Sequence, residues 1–80
     1  MNVIIRININ DTSTTVIIPE VYKIEHTEFG IELGLRKSIN QTLNNINRRV
    51  ILMCPKDEIQ SVNHGYTLWV NRALIESVSL

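Results

Sequence analysis

Apolar and polar positions alternate from the first residues of the chain. Val3, Ile5, Ile7 and Ile9 fall on one face of an opening run, with Ile4, Arg6 and Asn8 on the other. A period of two carried by β-branched side chains is the pattern of a strand with one buried face. Asn10-Asp11-Thr12-Ser13 follows, four residues whose short polar side chains bond their own backbone in turns. Thr14 to Ile18 reads as a second strand, stopped by Pro19, and the two runs predict a hairpin. Val21 to Leu35 predicts another. Tyr22, Ile24 and His26 share a face on the way out, Phe29-Gly30 sits near the turn, and Ile31, Leu33 and Leu35 share a face on the return. Gly30 and Gly34 speak against a helix here and for a bend or bulge.

The period changes at Ser38. Ser38-Ile39-Asn40-Gln41 has the form of a capping box. Ile39, Leu43 and Ile46 then make one apolar stripe at helical spacing, and Asn47 suits a left-handed C-terminal cap. A helix of about nine residues is too short to stand alone, so its stripe is expected to pack on a sheet. Arg49 to Cys54 is a further apolar run ended by Pro55. Lys56-Asp57-Glu58 turns into a short strand from Ile59 to His64, and Gly65 turns again. Tyr66, Leu68 and Val70 alternate with Thr67 and Trp69. Asn71-Arg72-Ala73 leads into a last run in which Leu74, Val78 and Leu80 share a face.

An approximate internal repeat links these runs. Residues 16–33 read apolar strand, Pro19, Val21-x-x-Ile24, His26, aromatic Phe29, then Ile31 and Leu33. Residues 50–70 read apolar strand, Pro55, Ile59-x-x-Val62, His64, aromatic Tyr66, then Leu68 and Val70. The apolar-x-x-apolar element recurs in Ile75-Glu76-Ser77-Val78. Such self-similarity arises by duplication or because meanders reuse turn chemistry. Together the elements predict a single α+β domain over residues 1–80. Its form is an antiparallel β-meander, a small barrel or sandwich of six to eight short strands, with one short helix between two halves.

Composition narrows the function classes. Apolar residues make up 44% of the chain, well above the content of a disordered segment. Four aromatic residues leave the core to aliphatics, chiefly isoleucine. Eight basic side chains balance eight acidic ones, so no long-range field draws the chain onto phosphate backbones or anionic membranes. No apolar run approaches the roughly 18 residues of a membrane span. Cys54 is the single cysteine, which fits a reducing compartment, and the expected location is the cytoplasm. Heavy use of isoleucine (13) and asparagine (9) is what AT-rich coding produces, and it suggests a low-GC bacterium or one of its phages.

Candidate chemistry is sparse. His26 and His64 hold equivalent places in the repeat and Cys54 is a third donor, but the tightly spaced ligand pairs of zinc sites are missing. Cys54 follows Ile51-Leu52-Met53, the setting of a small buried hydrophobe, and no nucleophile signature surrounds it. Three glycines form neither a P-loop nor a dinucleotide fingerprint. No cofactor, metal or enzymatic activity is expected.

Binding is left. Arg36 and Lys37 precede the predicted helix and Arg48 and Arg49 follow it, a basic bracket that a nucleic acid would meet, with Tyr66 and Trp69 available for stacking. Basic residues after a helix also suit its dipole without any ligand. Leu68-Trp69-Val70-Asn71-x-x-x-Ile75-Glu76-Ser77-Val78, with Pro19-Glu20-Val21-x-x-Ile24-Glu25 and Ser38-Ile39-x-x-x-Leu43, is loosely similar to segments of LytTR DNA-binding domains. The segment from Arg49 to Asp57 departs from that pattern, and membership does not follow. The favoured reading is a non-enzymatic protein-interaction module, plausibly phage- or mobile-element-encoded. It would bind a host protein stoichiometrically or pair with itself, a homodimer being expected. Trp69 projects outward if Tyr66, Leu68 and Val70 are core, and Trp69, Tyr66, Arg48 and Arg49 are the expected interface residues. The strand ending at Leu80 offers an edge to another chain.

Overall fold

The computed structural model describes residues 1–38, 41–42, 59–62 and 66–80. Among these the chain forms β1 (Val3–Ile9), β2 (Thr12–Ile18), β3 (Val21–His26), β4 (Gly30–Leu35), β5 (Ile59–Val62), β6 (Thr67–Asn71) and β7 (Ile75–Ser79). A 3-10 turn at Arg72–Leu74 leads into the last strand. The strands make two antiparallel sheets, ordered β2-β1-β7 and β3-β4-β6-β5, and not a closed barrel. Their buried side chains form one core, entirely of valine, isoleucine and leucine. The fold is a small β-rich one. Of the helix expected from Ser38 to Asn47, Gln41 and Thr42 are helical, and the Thr42 amide donates to the Ser38 carbonyl at 3.1 Å. Ser38 itself is not helical, and residues 39–40 and 43–47 lie outside the described residues, as does the apolar run from Arg49 to Cys54.

The first hairpin is tighter than its turn-forming residues imply. Ile9 pairs with Thr12, which leaves Asn10 and Asp11 as a two-residue turn with φ of 49° and 62°. That pair of left-handed residues matches the twist of the flanking strands. Thr12 and Ser13 therefore belong to β2. After Ile18 the chain turns a corner at Pro19-Glu20, where Glu20 has φ of 54°. Beyond the corner Val21 exchanges backbone hydrogen bonds with Met1, its amide donating at 2.8 Å and the Met1 amine at 3.0 Å. The start of the chain thus ties one sheet to the other.

Two β-bulges account for the apolar-x-x-apolar spacing in Val21 to Ile24 and in Ile75 to Val78, whereas Ile59 to Val62 pairs with β6 in unbroken register. In β3, Val21 pairs with Leu35 and Lys23 with Gly34, so Tyr22 is the extra residue. Val21 and Ile24 both face the core in consequence, and Tyr22 is turned outward. The shared face expected for Tyr22, Ile24 and His26 is broken by that one residue. In β7, Ile75 pairs with Ile7 and Ser77 with Arg6, making Glu76 the extra residue. Ile75 and Val78 pack toward the core, while Leu80 is exposed and leaves the face predicted for it. A bulge re-aims a side chain in this way whenever two residues oppose one. The bend or bulge expected from Gly30 and Gly34 is thus a bulge at Tyr22, opposite Leu35 and Gly34, and not at the glycines themselves.

The expected division into two halves also gives way. β7 returns to pair with β1, so the three-stranded sheet is built from both ends of the chain. This sandwiches β1 between two neighbours and buries Val3, Ile5 and Ile7 almost completely. The other sheet holds the β3-β4 and β5-β6 hairpins, the described parts of the two repeat copies, joined through β4 and β6.

Glu76 organises the outer face of the three-stranded sheet. Its carboxylate accepts from Asn8 Nδ2 at 2.8 Å and from the Ser13 hydroxyl at 2.7 Å, and lies 3.1 Å from Arg6 Nε. The hydrogen bonds from Ser13 and Asn8, with a smaller contribution from the Arg6 charge, hold its pKa below the usual 4.5. A carboxyl whose folded pKa is depressed stabilises the fold above its unfolded value and loses that effect as pH falls through the lowered one. The wild type should therefore exceed Glu76→Gln in thermal midpoint well above pH 4.5, with the gap closing in acid below it. A gap that stays constant across the acid range would show that the carboxylate charge contributes nothing.

Candidate interaction face

The outer face of the four-stranded sheet follows from its register. Glu25 pairs with Glu32, and Glu32 with Trp69, forming one row across β3, β4 and β6. Lys23 pairs with Gly34, and Gly34 with Thr67, forming the next. Leu33, Leu68 and Val70 of the same strands point into the core and are at most 1% exposed. Alternation then puts Trp69 outside, where it is half-buried.

Two glycines of β4 hold the aromatic rings. A Cβ on Gly30 would lie 2.9 Å from Cε2 and Nε1 of Trp69, so the indole rests directly on that glycine. A Cβ on Gly34 would lie 2.9 Å from Cζ of Tyr22, whose ring covers the second. Here glycine serves close approach, a ring occupying the space that a side chain would fill. Between the covered glycines stands Glu32. Tyr22, Lys23, Glu25, Glu32, Gly34 and Thr67 enclose a cavity of about 220 Å³. The Lys23 ammonium lies 3.8 Å from the Glu25 carboxylate. Glu32 has no hydrogen-bond or ion-pair partner for its carboxylate among the described residues.

Of the residues singled out in the sequence, Trp69 is on this face. Tyr66 is exposed and sits at the end of β6, its carbonyl accepting from the Leu35 amide at 2.7 Å. It is not part of a core trio with Leu68 and Val70, because it stands in the turn before β6 and is exposed. Arg36 and Lys37 are exposed beyond β4, where Lys37 Nζ lies 3.6 Å from the Glu20 carboxylate. Arg48, Arg49, Cys54 and His64 lie outside the described residues. Tyr22, Glu25 and Glu32 were not legible as site residues. Their signal was a strand carrying glycines four residues apart on one face, with Glu32 between them, beside one carrying an outward tryptophan.

A second concavity of about 480 Å³ opens between the end of β3 and β7, lined by His26, Thr27, Ile31, Arg72, Ile75 and Val78 among others. β7 is an edge strand of its sheet, as the sequence suggests for the run ending at Leu80. Among the described residues no group of three metal-ligating side chains converges, and no helix is long and apolar enough to cross a membrane. No protein-family model, curated protein or solved structure matches the chain.

Proposed function

We propose that this protein is a non-enzymatic interaction module that binds a protein partner through the outer face of its four-stranded sheet. One observation carries the reading: none of the four aromatic side chains is in the core. Tyr22, Phe29 and Tyr66 are exposed and Trp69 is half-buried on the outer face. Burial of an aromatic ring removes more apolar surface from water than that of any aliphatic side chain, and a thin core has every reason to use it. Rings kept at the surface are the side chains that most often anchor protein interfaces. The partner is a host protein or a second copy, met in the cytoplasm, where a single cysteine stays reduced. Among the described strands β7 pairs on one side only, which offers a second copy a strand to pair with.

Affinity capture from the source cell with the wild type and with Trp69→Ala tests this reading. A species retained by the wild type should be lost or weakened by about tenfold or more in the variant, the usual effect of removing an interface anchor. An unchanged thermal midpoint of the variant assigns the loss to the surface. Identical captures, or a collapse of stability in Trp69→Ala, would remove the face from consideration. Light scattering distinguishes a self-pairing chain from one that waits for another protein.

The alternative, a nucleic-acid-binding regulator using Arg36, Lys37, Arg48 and Arg49, gains no support from the outer face. Its described charges are one lysine and two glutamates, and Lys37 shares its charge with Glu20. A salt-sensitive shift of DNA or RNA by the wild type, lost on replacing Arg36 and Lys37, would restore it.

A further inference from the structure

Resting on that reading of the face, we infer that the cavity between Tyr22 and Glu32 receives an arginine side chain of the partner. Size comes first. At about 220 Å³ the cavity is smaller than the roughly 300–1,000 Å³ of drug-sized ligand sites, and it suits one side-chain head group. Charge comes second. Glu25 and Glu32 are direct cross-strand neighbours, an arrangement in which like charges repel. Lys23 sits against Glu25 alone, and the carboxylate of Glu32 is left unpaired among the described residues. The face therefore lacks one positive charge at Glu32.

The walls choose among cations. Divalent metals need several oxygen donors in a closed shell, and two carboxylates on one open sheet do not supply it. The phenol ring of Tyr22 covers Gly34 and forms the aromatic side of the cavity, with Glu32 beside it and Thr67 across from Gly34. A planar guanidinium pairs with a carboxylate through two parallel hydrogen bonds and stacks on an aromatic face, which a compact, strongly hydrated ammonium does less well. Tyr22 owes its place to the bulge in β3. In an unbroken alternation with Ile24 its side chain would face the core and the cavity would have no aromatic wall.

The test uses the full chain labelled with ¹⁵N and titrated at low salt with Nα-acetyl-arginine-N-methylamide. The matching lysine and norleucine derivatives are run in parallel. Saturable shifts of the Gly34 and Thr67 amides, both at the cavity, are expected with arginine, weaker ones with lysine and none with norleucine. Glu32→Gln, an isosteric change on the outer face, should weaken the arginine response by about tenfold or more while leaving the rest of the spectrum in place. Equal response to norleucine, no saturable response to arginine, or an unchanged affinity in Glu32→Gln would each overturn the inference. Should Trp69→Ala lose the partner while arginine leaves the spectrum unmoved, the socket fails and the interface stands. The reverse pattern would keep the socket and remove the interface.

Discussion

Leu33→Ala should lower the stability of the folded chain by about 2–5 kcal/mol, the range for emptying a leucine site in a close-packed interior. Leu33 is fully buried, and its strand β4 is hydrogen-bonded on both sides, to β3 and to β6. The surrounding layers cannot collapse into the vacated space without giving up that register. Domains have only about 5–15 kcal/mol in total, so the variant would lose a large share of its stability. The informative comparison is Phe29→Ala. Truncating a buried phenylalanine costs about 3–5 kcal/mol. Phe29 is 70% exposed in the turn between β3 and β4, and what it contributes there, the backbone carbonyl that accepts from the Arg72 amide at 2.9 Å, survives the change. Its replacement should stay within about 0.5 kcal/mol of wild type. Urea midpoints of the two variants measure the contrast directly. A Phe29→Ala cost equal to that of Leu33→Ala would mean that the ring is packed inside and that the aliphatic core is incomplete without it.

Gly30→Ala is expected to be the second severe change, and Gly34→Ala a mild one, although both glycines lie on the same face of the same strand. At Gly30 the new methyl group meets the Val70 carbonyl oxygen and the Trp69 indole together. A carbonyl fixed in the β4-β6 ladder cannot step aside, so the two strands must part or the chain must distort. Overpacking of this kind costs about 1–3 kcal/mol or more. At Gly34 the nearest atoms are the Tyr22 ring at 2.9 Å and the Lys23 Cβ at 3.1 Å. The ring is exposed on one side and can swing away, so the loss should remain below about 1 kcal/mol. Denaturant titrations give the difference, and a red shift of tryptophan emission in Gly30→Ala would report the displaced indole. Equal costs at the two positions would show that the rings, rather than the backbone, set the tolerance.

The pair also illustrates why part of the candidate face was not readable. Glycine inside a strand, as at Gly30 and Gly34, signals a bulge or a close approach, and nothing local decides between them. The bulge fell at Tyr22 on the neighbouring strand, and the glycines became floors for two rings. Likewise the apolar-x-x-apolar spacing of Val21 and Ile24 and of Ile75 and Val78 looked like a repeated motif, yet each is a strand with one extra residue opposite its partner. Bulges are properties of pairs of strands, so a single strand's pattern cannot contain them.

By itself the sequence determined the elements whose signal is local. Alternation in Val3 to Ile9 fixed β1 and its buried face, because a period of two needs no partner to define it. The same holds for a turn between the first two strands, the stop at Pro19, the β3-β4 hairpin and the alternation of Leu68 and Val70 with Trp69. The tightness of the Asn10-Asp11 turn and the side on which Trp69 lies came only from the structure. Tertiary structure alone decided that β7 pairs with β1, that Met1 ties the two sheets through Val21, and that Tyr22, Glu32 and Trp69 share one face. Those facts join residues far apart in the chain. Which distant strand edge a strand finds is settled by the burial available across the whole core, a sum that no stretch of residues carries on its own.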